Sequence, residues 1–147
     1  MTHFDDGSSY RYMPSSAALN VGWLGAGHQF PTGVAVPELL EKIAWLCVHA
    51  PTCQTRGIHR CELCPPGSDP LHYVELVGRR LVSGFGSERV LLGSAEVRVR
   101  GSEALYAAPN LILHYMVDHS YRPPDDFVAG ALTLKERLPF RLLNAAW

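Results

Sequence analysis

The sequence lacks a long hydrophobic run, a large net charge and a secretory leader. No apolar stretch in its 147 residues approaches the ~20 residues that cross a bilayer as a helix. The formal net charge is -1, which offers no bulk attraction to nucleic acid or to an anionic membrane. Residues 1–9 are polar and acidic, without the basic head and apolar core of a signal peptide. We therefore expect a soluble, cytoplasmic protein.

Several catalytic signatures are absent or incomplete. Gly25 and Gly27 lack the third glycine of a dinucleotide-binding loop, and the residues after them do not begin a helix. The sequence has no His-x-Glu, the motif that brings the general acid and base to zinc deaminases. A thioredoxin-like Cys-x-x-Cys would lie between a strand and a helix, whereas Pro65 and Pro66 follow the pair in this chain. These three enzyme classes are therefore disfavoured.

What is present is the composition of a folded domain. Hydrophobic residues make up 47% of the chain and charged residues 18%, which argues against intrinsic disorder. In residues 1–16, serine, glycine, aspartate and proline outweigh any periodic pattern, so a flexible arm is predicted there, followed by one domain over residues 17–147. In a reducing compartment the four cysteines favour metal binding or burial over disulfides.

Three helices are predicted. The first covers residues 37 to about 49, because Pro37 suits a first helical position and apolar residues recur at helical spacing after it. Cys47 lies on that apolar stripe and is predicted to be a core residue. The second helix is predicted from residue 109 or 110 to residue 119, with Asn110 as a possible cap. The third covers residues 125 to about 132 and begins with two aspartates.

Strands are predicted where apolar and polar residues alternate. Residues 90–100 show this pattern most clearly, and residues 104–107 can pair with them as a hairpin. A shorter strand is predicted over residues 18–24. Residues 73–77 fit either a strand or a short helix, and residues 134–147 are predicted to pack as an irregular or edge segment.

The residues with the clearest chemistry are His59, Cys61 and Cys64, in the pattern His-x-Cys-x-x-Cys. This spacing lets two sulfur atoms of one short knuckle point at one centre, and thiolates with imidazoles are the donor set that suits zinc. A structural zinc ion requires four ligands in a tetrahedron. His114 and His119, on the second predicted helix, are the natural distant pair. The sequence therefore predicts a bound Zn²⁺ ion.

Two ligand sets remain open. The first joins the two cysteines of the knuckle to the two histidines of the second helix. The second set is local and takes three ligands from the knuckle, with a fourth from His114, His119 or Cys53. Ordinary surface or core roles are expected for three other histidines, namely His28, His49 and His72.

Helical geometry bears on the first set. Five residues of an ideal helix turn His119 about 140° away from His114. Both side chains can therefore bind one ion only where the end of the helix unwinds or tightens.

The order of knuckle, loop, hairpin and histidine-bearing helix between Cys61 and His119 resembles the treble-clef type of zinc-binding unit. In treble-clef units the helix usually supplies its ligands from the first turn, whereas these histidines fall in the middle and at the end of the predicted helix. Residues 106–115 and 121–127 are also similar to a small bacterial family without an established role. The resemblance implies that the knuckle and this helix belong to one zinc-binding region.

Together these patterns predict an α+β fold, with a small, mostly antiparallel sheet, two or three helices and a zinc ion that joins the knuckle to the second helix. One function is a non-enzymatic module with a structural zinc, whose expected partner is another protein. The other is a small zinc-dependent hydrolase with an open coordination position. Four protein ligands favour the module, and three ligands beside Glu62, Glu96 or Asp118 favour the enzyme.

Overall fold

The computed structural model describes residues 3–11, 17–65, 67, 71–76 and 89–144. Within these ranges the chain forms three helices and six strands, numbered in chain order. The helices are α1 (Pro37–His49), α2 (Ile112–Asp118) and α3 (Asp125–Leu132). The strands are β1 (Ala18–Asn20), β2 (His72–Leu76), β3 (Arg89–Leu92), β4 (Glu96–Arg100), β5 (Leu105–Pro109) and β6 (Phe140–Asn144).

The strands form two small sheets. In the first, β5 lies between β1 and β4, with β1 parallel to it and β4 antiparallel. In the second, β2 lies between β3 and β6, and both neighbours run antiparallel to it. The predicted α+β fold is confirmed, although its mostly antiparallel strands are divided between two sheets.

Helices α1 and α3 have the predicted boundaries because their start signals are local. Pro37 opens α1, where a missing N–H is tolerated, and the carbonyl of Val36 accepts a hydrogen bond from the N–H of Leu39. The buried face of α1 includes Leu39, Ile43 and Cys47, and α1 packs against α2, α3, β3 and β4. Burial of each large aliphatic side chain on this face contributes about 1.5–3 kcal/mol to stability.

Cys47 is completely buried, which confirms the prediction that it is a core residue. Its Sγ atom donates a hydrogen bond to the backbone carbonyl of Asn110 at 3.7 Å. Burial raises the pKa of the Cys47 thiol to about 12. The thiol therefore remains protonated at neutral pH, which is the form that does not bind metals.

The core draws on all three helices and both sheets. Its fully buried side chains include Ile43, Val74, Leu92, Val97, Tyr115 and Phe127. None of the described helices is long and apolar enough to cross a membrane.

The prediction of one strand over residues 90–100 is wrong, because the chain turns at Gly93 between β3 and β4. Gly93 has a φ of +107°, which glycine adopts far more readily than other residues. Its N–H donates to Oδ1 of Asn110 at 2.7 Å, and its carbonyl accepts from the N–H of His59 at 2.7 Å. A Cβ atom here would lie 2.3 Å from the carbonyl oxygen of His59. The turn thus holds the segment that leads into the knuckle.

Helix α2 begins two residues later than the latest predicted start. Among the described residues, no side chain caps its first turn, and Asn110 instead lies buried beneath the turn at Gly93. The side-chain oxygen that would have capped the helix is therefore used to satisfy a buried N–H of another segment.

Two regions whose structure the sequence left open are strands, and a third strand is shorter than predicted. Residues 72–76 form β2 rather than a short helix, and β6 is an edge strand, as the prediction of an edge segment allowed. Strand β1 is shorter than predicted and ends before Gly22, whose φ is +76°. Parts of the predictions fall on residues 1–2, 12–16, 77 and 145–147, which lie outside the described residues.

Residues 3–11, within the predicted arm, lie beside β1. The N–H of Asn20 donates to the carbonyl of Ser8 at 2.7 Å, and the N–H of Tyr10 donates to that of Ala18 at 2.9 Å. The Tyr10 ring is buried, and its hydroxyl donates to Glu96 at 2.8 Å. Contacts of this segment thus reach from β1 to the start of β4.

The carboxylate of Asp126, in the first turn of α3, binds the hairpin turn between β4 and β5. It accepts hydrogen bonds from the hydroxyl of Tyr106 at 2.7 Å, from Ser102 Oγ at 2.8 Å and from two backbone N–H groups of the turn. The hydrogen bond from Tyr106, followed by that from Ser102, holds the pKa of Asp126 well below its usual range. The ionised carboxylate therefore stabilises the folded state.

This contact predicts a pH-dependent stability. An unfolded chain ionises an aspartate with a pKa of about 3.9. Because the folded pKa is lower, the stabilisation by Asp126 is complete above roughly pH 5 and is lost as the pH falls through the folded value. In thermal unfolding from pH 7 to pH 2, the Tm of the Asp126→Asn variant should lie below that of the parent at pH 7 and approach it below pH 4. A difference in Tm between the two proteins that stays constant from pH 7 to pH 2 would contradict this assignment.

Candidate metal centre

Four side chains converge between the knuckle and the C-terminal end of α2. They belong to Cys61, Cys64, His114 and His119, and the ligand atoms of the four lie within 4.8 Å of one another. Sγ of Cys64 lies 3.4 Å from Nε2 of His114 and 3.5 Å from Nε2 of His119. Sγ of Cys61 lies 3.5 Å from Nε2 of His119. This group could hold a metal ion.

The knuckle is positioned by the turn between β3 and β4. The backbone N–H groups of Thr55 and His59 donate to the carbonyls of Ser94 and Gly93, each at 2.7 Å. Two residues further on, Cys61 is buried and accepts a hydrogen bond at Sγ from a backbone N–H within the knuckle. The backbone thus brings this sulfur into the group.

The end of α2 explains how two histidines five residues apart face one point. His114 lies within the helix, but His119 is the residue that ends it, with φ of −119° and ψ of 8°. Ser120 follows with a φ of +53°. The carbonyl of Tyr115 accepts hydrogen bonds from the N–H groups of both His119 and Tyr121. Because the helix stops at this point, the two imidazole rings meet at right angles with their centroids 4.9 Å apart.

Asp118 fixes the tautomer of His114. Its Oδ2 lies 2.7 Å from Nδ1 of His114, and the hydrogen bond from His114 lowers the pKa of this carboxyl group. An ionised carboxylate can only accept, so Nδ1 carries a hydrogen, and Nε2, which faces the sulfur atoms, is the nitrogen that can bind a metal. Metal-binding histidines in proteins are commonly oriented by a carboxylate in this way.

The two thiols differ in acidity. Burial opposes ionisation of Cys61, but hydrogen bonds from His114 and from the backbone N–H of Leu63 outweigh it, and the pKa of Cys61 is lowered. Burial, and then the negative charge of Cys61, raise the pKa of Cys64 to about 12. Cys64 is therefore protonated at neutral pH, and binding of a metal to its sulfur would release a proton.

Asp118 gives a direct test of the site. Asp118→Asn keeps the shape of the side chain but removes the charge that fixes the tautomer of His114. We expect metal affinity to fall about 10- to 100-fold, the range found for such supporting groups. Competition with a chromophoric chelator measures the affinity, and Asp125→Asn, an exposed acid on the next helix, serves as the matched control. Equal affinities in the two variants would contradict this role.

The local ligand set is not assembled. Among the described residues, His59 is outside the group of four; it is exposed, and it lines a separate small cavity together with Cys53. Sγ of Cys53 lies 3.6 Å from a guanidinium nitrogen of Arg98. Because side chains alternate along an extended segment, His59 was expected on the same side as Cys61. The backbone N–H of His59 is instead bound by the carbonyl of Gly93, and the His59 side chain lies outside the group of four. The group that could hold a metal contains His114 and His119 instead of His59.

His72 is the site residue that the sequence reasoning missed. It is 4% exposed, its ring stacks on that of His114 with centroids 3.6 Å apart, and its Nε2 lies 3.7 Å from Sγ of Cys64. With His114 and Asp118 it forms a second group that could hold a metal ion. The available signal was its place at the start of β2, two residues before Val74, on the strand face that is buried.

A cavity of about 340 Å³ lies beside the metal centre. Its walls include three of the four convergent side chains and the two residues that support them, namely Cys64, His114, His119, His72 and Asp118. Leu142 of β6 closes another side. Cys61 does not contribute to the wall among the described residues, so the two sulfurs differ in access to this space.

Comparison with known proteins identifies a family for the chain but no activity. The model of a domain family of unknown function, DUF7919, matches residues 2–132. This range includes the whole metal centre. No curated protein and no solved structure matches the chain.

Proposed function

The chain belongs to the DUF7919 family, and from the geometry of the metal centre we propose that it is a zinc-binding protein whose metal is structural. Cys61, Cys64, His114 and His119 supply the four ligands. The two sulfurs and two nitrogens match the donor set of structural zinc sites, which are tetrahedral and closed by four protein ligands. The convergence of these four donors is the observation that carries the proposal.

The distances fit a tetrahedron around zinc. Bonds of about 2.3 Å to sulfur and about 2.05 Å to nitrogen, at the tetrahedral angle, separate a sulfur from a nitrogen by about 3.6 Å. Three of the four sulfur–nitrogen distances in the group are 3.4, 3.5 and 3.5 Å. These three distances lie within about 0.2 Å of the tetrahedral value.

A structural role follows from what the ion would join. Helix α2 has seven residues, a length at which an isolated helix is unstable in water. The knuckle is fifty residues or more away from its histidines along the chain. A zinc ion would tie the end of this short helix to the knuckle, so that the free energy of metal binding contributes to folding. The knuckle, the β4–β5 hairpin and α2 would then form a treble-clef-like unit.

Metal content tests the proposal. Protein purified without a metal-binding tag should contain about one zinc per chain by elemental analysis, and the double variant Cys61→Ser, Cys64→Ser should contain much less. The matched control is Cys47→Ala, which removes a buried thiol outside the group. It should retain zinc while losing roughly 1 kcal/mol of stability, because a small core side chain is trimmed. Zinc well below one per chain, unchanged in the double variant, would refute the proposal.

We further propose that the zinc-stabilised domain binds another protein. A net charge of -1 provides little of the phosphate neutralisation that nucleic-acid binding requires. Electrophoretic mobility assays with random double-stranded DNA and single-stranded RNA should therefore show no shift at physiological salt. A shift that weakens steeply as salt is raised would contradict the choice of partner, without affecting the zinc site.

The cavity beside the metal centre favours a second candidate, a zinc-dependent hydrolase. In that case one protein ligand would give way to water, and Asp118 or His72, both in the cavity wall, would stand near it. Hydrolysis of an activated ester by the zinc-loaded protein, lost with the metal and restored by adding zinc back, would support the enzyme. Loss of metal in each single variant of the four proposed ligands would establish four protein ligands. That result would favour the structural role.

A further inference from the structure

We propose that Cys64 is a modification site at which a small oxidant of the peroxide class triggers zinc release. Hydrogen peroxide would enter the cavity beside the metal centre and oxidise the Cys64 thiolate, after which Cys61 would displace the added oxygen and form a disulfide. This inference rests on the proposed zinc site and adds a means by which the site is regulated.

The first observation is the unequal access of the two sulfurs. Cys61 is 8% exposed, and its Sγ accepts a hydrogen bond from the N–H of Leu63 at 3.3 Å. Cys64 is only partly buried and lies in the wall of the cavity. A water molecule occupies about 30 Å³ in the liquid, so a cavity of about 340 Å³ has room for a molecule as small as peroxide. The oxidant therefore meets Cys64 first.

The second observation is the polar surroundings of Cys64. Its Sγ lies within 3.7 Å of three imidazole nitrogens, from His114, His119 and His72. His114 and His119 are proposed zinc ligands, and all three histidines line the cavity. Zinc binds a cysteine as its thiolate, which is the form that attacks electrophiles.

The first chemical step adds one oxygen to Cys64. The thiolate attacks one oxygen of peroxide, an S–O bond forms, the O–O bond breaks, and hydroxide leaves and is protonated by solvent. Sulfur loses two electrons and peroxide gains them. Zinc has no redox chemistry of its own, so its oxidation state does not change.

The second step uses the nearness of Cys61. Its thiolate attacks the sulfur of Cys64, an S–S bond forms, the S–O bond breaks, and a second hydroxide leaves and becomes water. The ligand atoms of the two residues lie within 4.8 Å of each other, and Cys-x-x-Cys pairs readily form disulfides in other proteins. In total, the zinc-bound pair of thiolates, one peroxide and two protons yield one disulfide, one free Zn²⁺ and two waters. The site keeps two imidazoles and loses both thiolates.

The test uses full-length zinc-loaded protein carrying Cys53→Ser, because Cys53 is partly exposed and would consume oxidant on its own. A zinc-sensitive dye follows release as peroxide is added, and mass spectrometry locates the disulfide. We expect one zinc released and one Cys61–Cys64 disulfide formed for each peroxide consumed, reversed by a thiol reductant and fresh zinc. Brief labelling with iodoacetamide should modify Cys64 at least tenfold faster than Cys61, with the buried Cys47 unlabelled.

Variants of Leu142 test the cavity as the route. Leu142→Phe narrows it and should slow peroxide-driven zinc release severalfold, whereas Leu142→Ala widens it and should speed release. Both should still bind one zinc per chain. Equal labelling of the two cysteines, release without a disulfide, or identical rates in the two Leu142 variants would overturn the inference. These outcomes differ from a failure of the proposed function, in which the untreated protein would contain no zinc.

Discussion

Removing the metal with a strong chelator is expected to lower the Tm of the protein by about 10 °C. A ligand present at 1,000 times its Kd stabilises the folded state by about 4.1 kcal/mol. For a chain of this size each kcal/mol corresponds to roughly 2–4 °C in Tm. The effect should be larger for a tightly held zinc, because its binding free energy is available only to the folded chain. Thermal unfolding with and without the chelator, alongside elemental analysis, provides the measurement.

Hydrogen exchange should show where stability is lost. In the metal-free protein, amides of the knuckle and of α2 should exchange faster, because the ion no longer ties these segments together. Amides of α1 that are distant from the metal should change less at temperatures well below the Tm, which provides an internal control. An unchanged melting curve in protein shown to be free of metal would refute the structural role and favour the hydrolase.

The second large effect is expected for Gly93→Ala, with a loss of about 3 kcal/mol or more in the free energy of unfolding. An alanine at a φ of +107° is strained by about 1–3 kcal/mol. In addition, its Cβ atom would lie 2.3 Å from the carbonyl oxygen of His59, which is backbone and cannot rotate away. Relief of the clash would move the chain that leads to Cys61, so metal affinity should fall with stability.

The matched control for this variant is Gly27→Ala. Gly27 also has a positive φ, +81°, but among the described residues no atom lies within 4 Å of the Cβ position. The control therefore measures backbone strain alone, at about 1–2 kcal/mol, and should leave zinc affinity unchanged. Denaturant unfolding with a common m-value gives both losses. Equal losses in the two variants would show that the contact with His59 has no energetic effect.

The parts of the fold that the sequence predicted are those with local signals. Pro37 and the apolar residues that follow it contain the information that starts α1, and Asp125 begins α3 in the same way. The break at Gly93 depends on His59 and Asn110, which come from other parts of the chain. The parallel pairing of β1 with β5 joins residues nearly ninety positions apart, and the short-range pattern of either strand does not encode it.

In the candidate site, too, the residues that could be predicted are those with a local signal. Cys61 and Cys64 could be identified because their spacing alone is informative, and the two helical histidines followed from their number and position. The choice between His59 and His119 could not be made, because it depends on where α2 ends. The helix ends where Ser120 adopts a positive φ. A serine in the sequence does not predict that conformation. The place of His72 beside the site was not predicted, because its burial depends on the strands that pair with β2.

The stacking of His72 on His114 has a consequence for the cooperativity of the whole domain. His72 belongs to the sheet of β3, β2 and β6, whereas His114 lies on the helix that follows β5 of the other sheet. The two sheets share no strand among those described, so contacts of this kind between them favour their unfolding as one unit. A metal bound by His114 would hold this ring in place, and the ring in turn contacts His72 of the second sheet. The ion would thereby act on a sheet that supplies none of its proposed ligands.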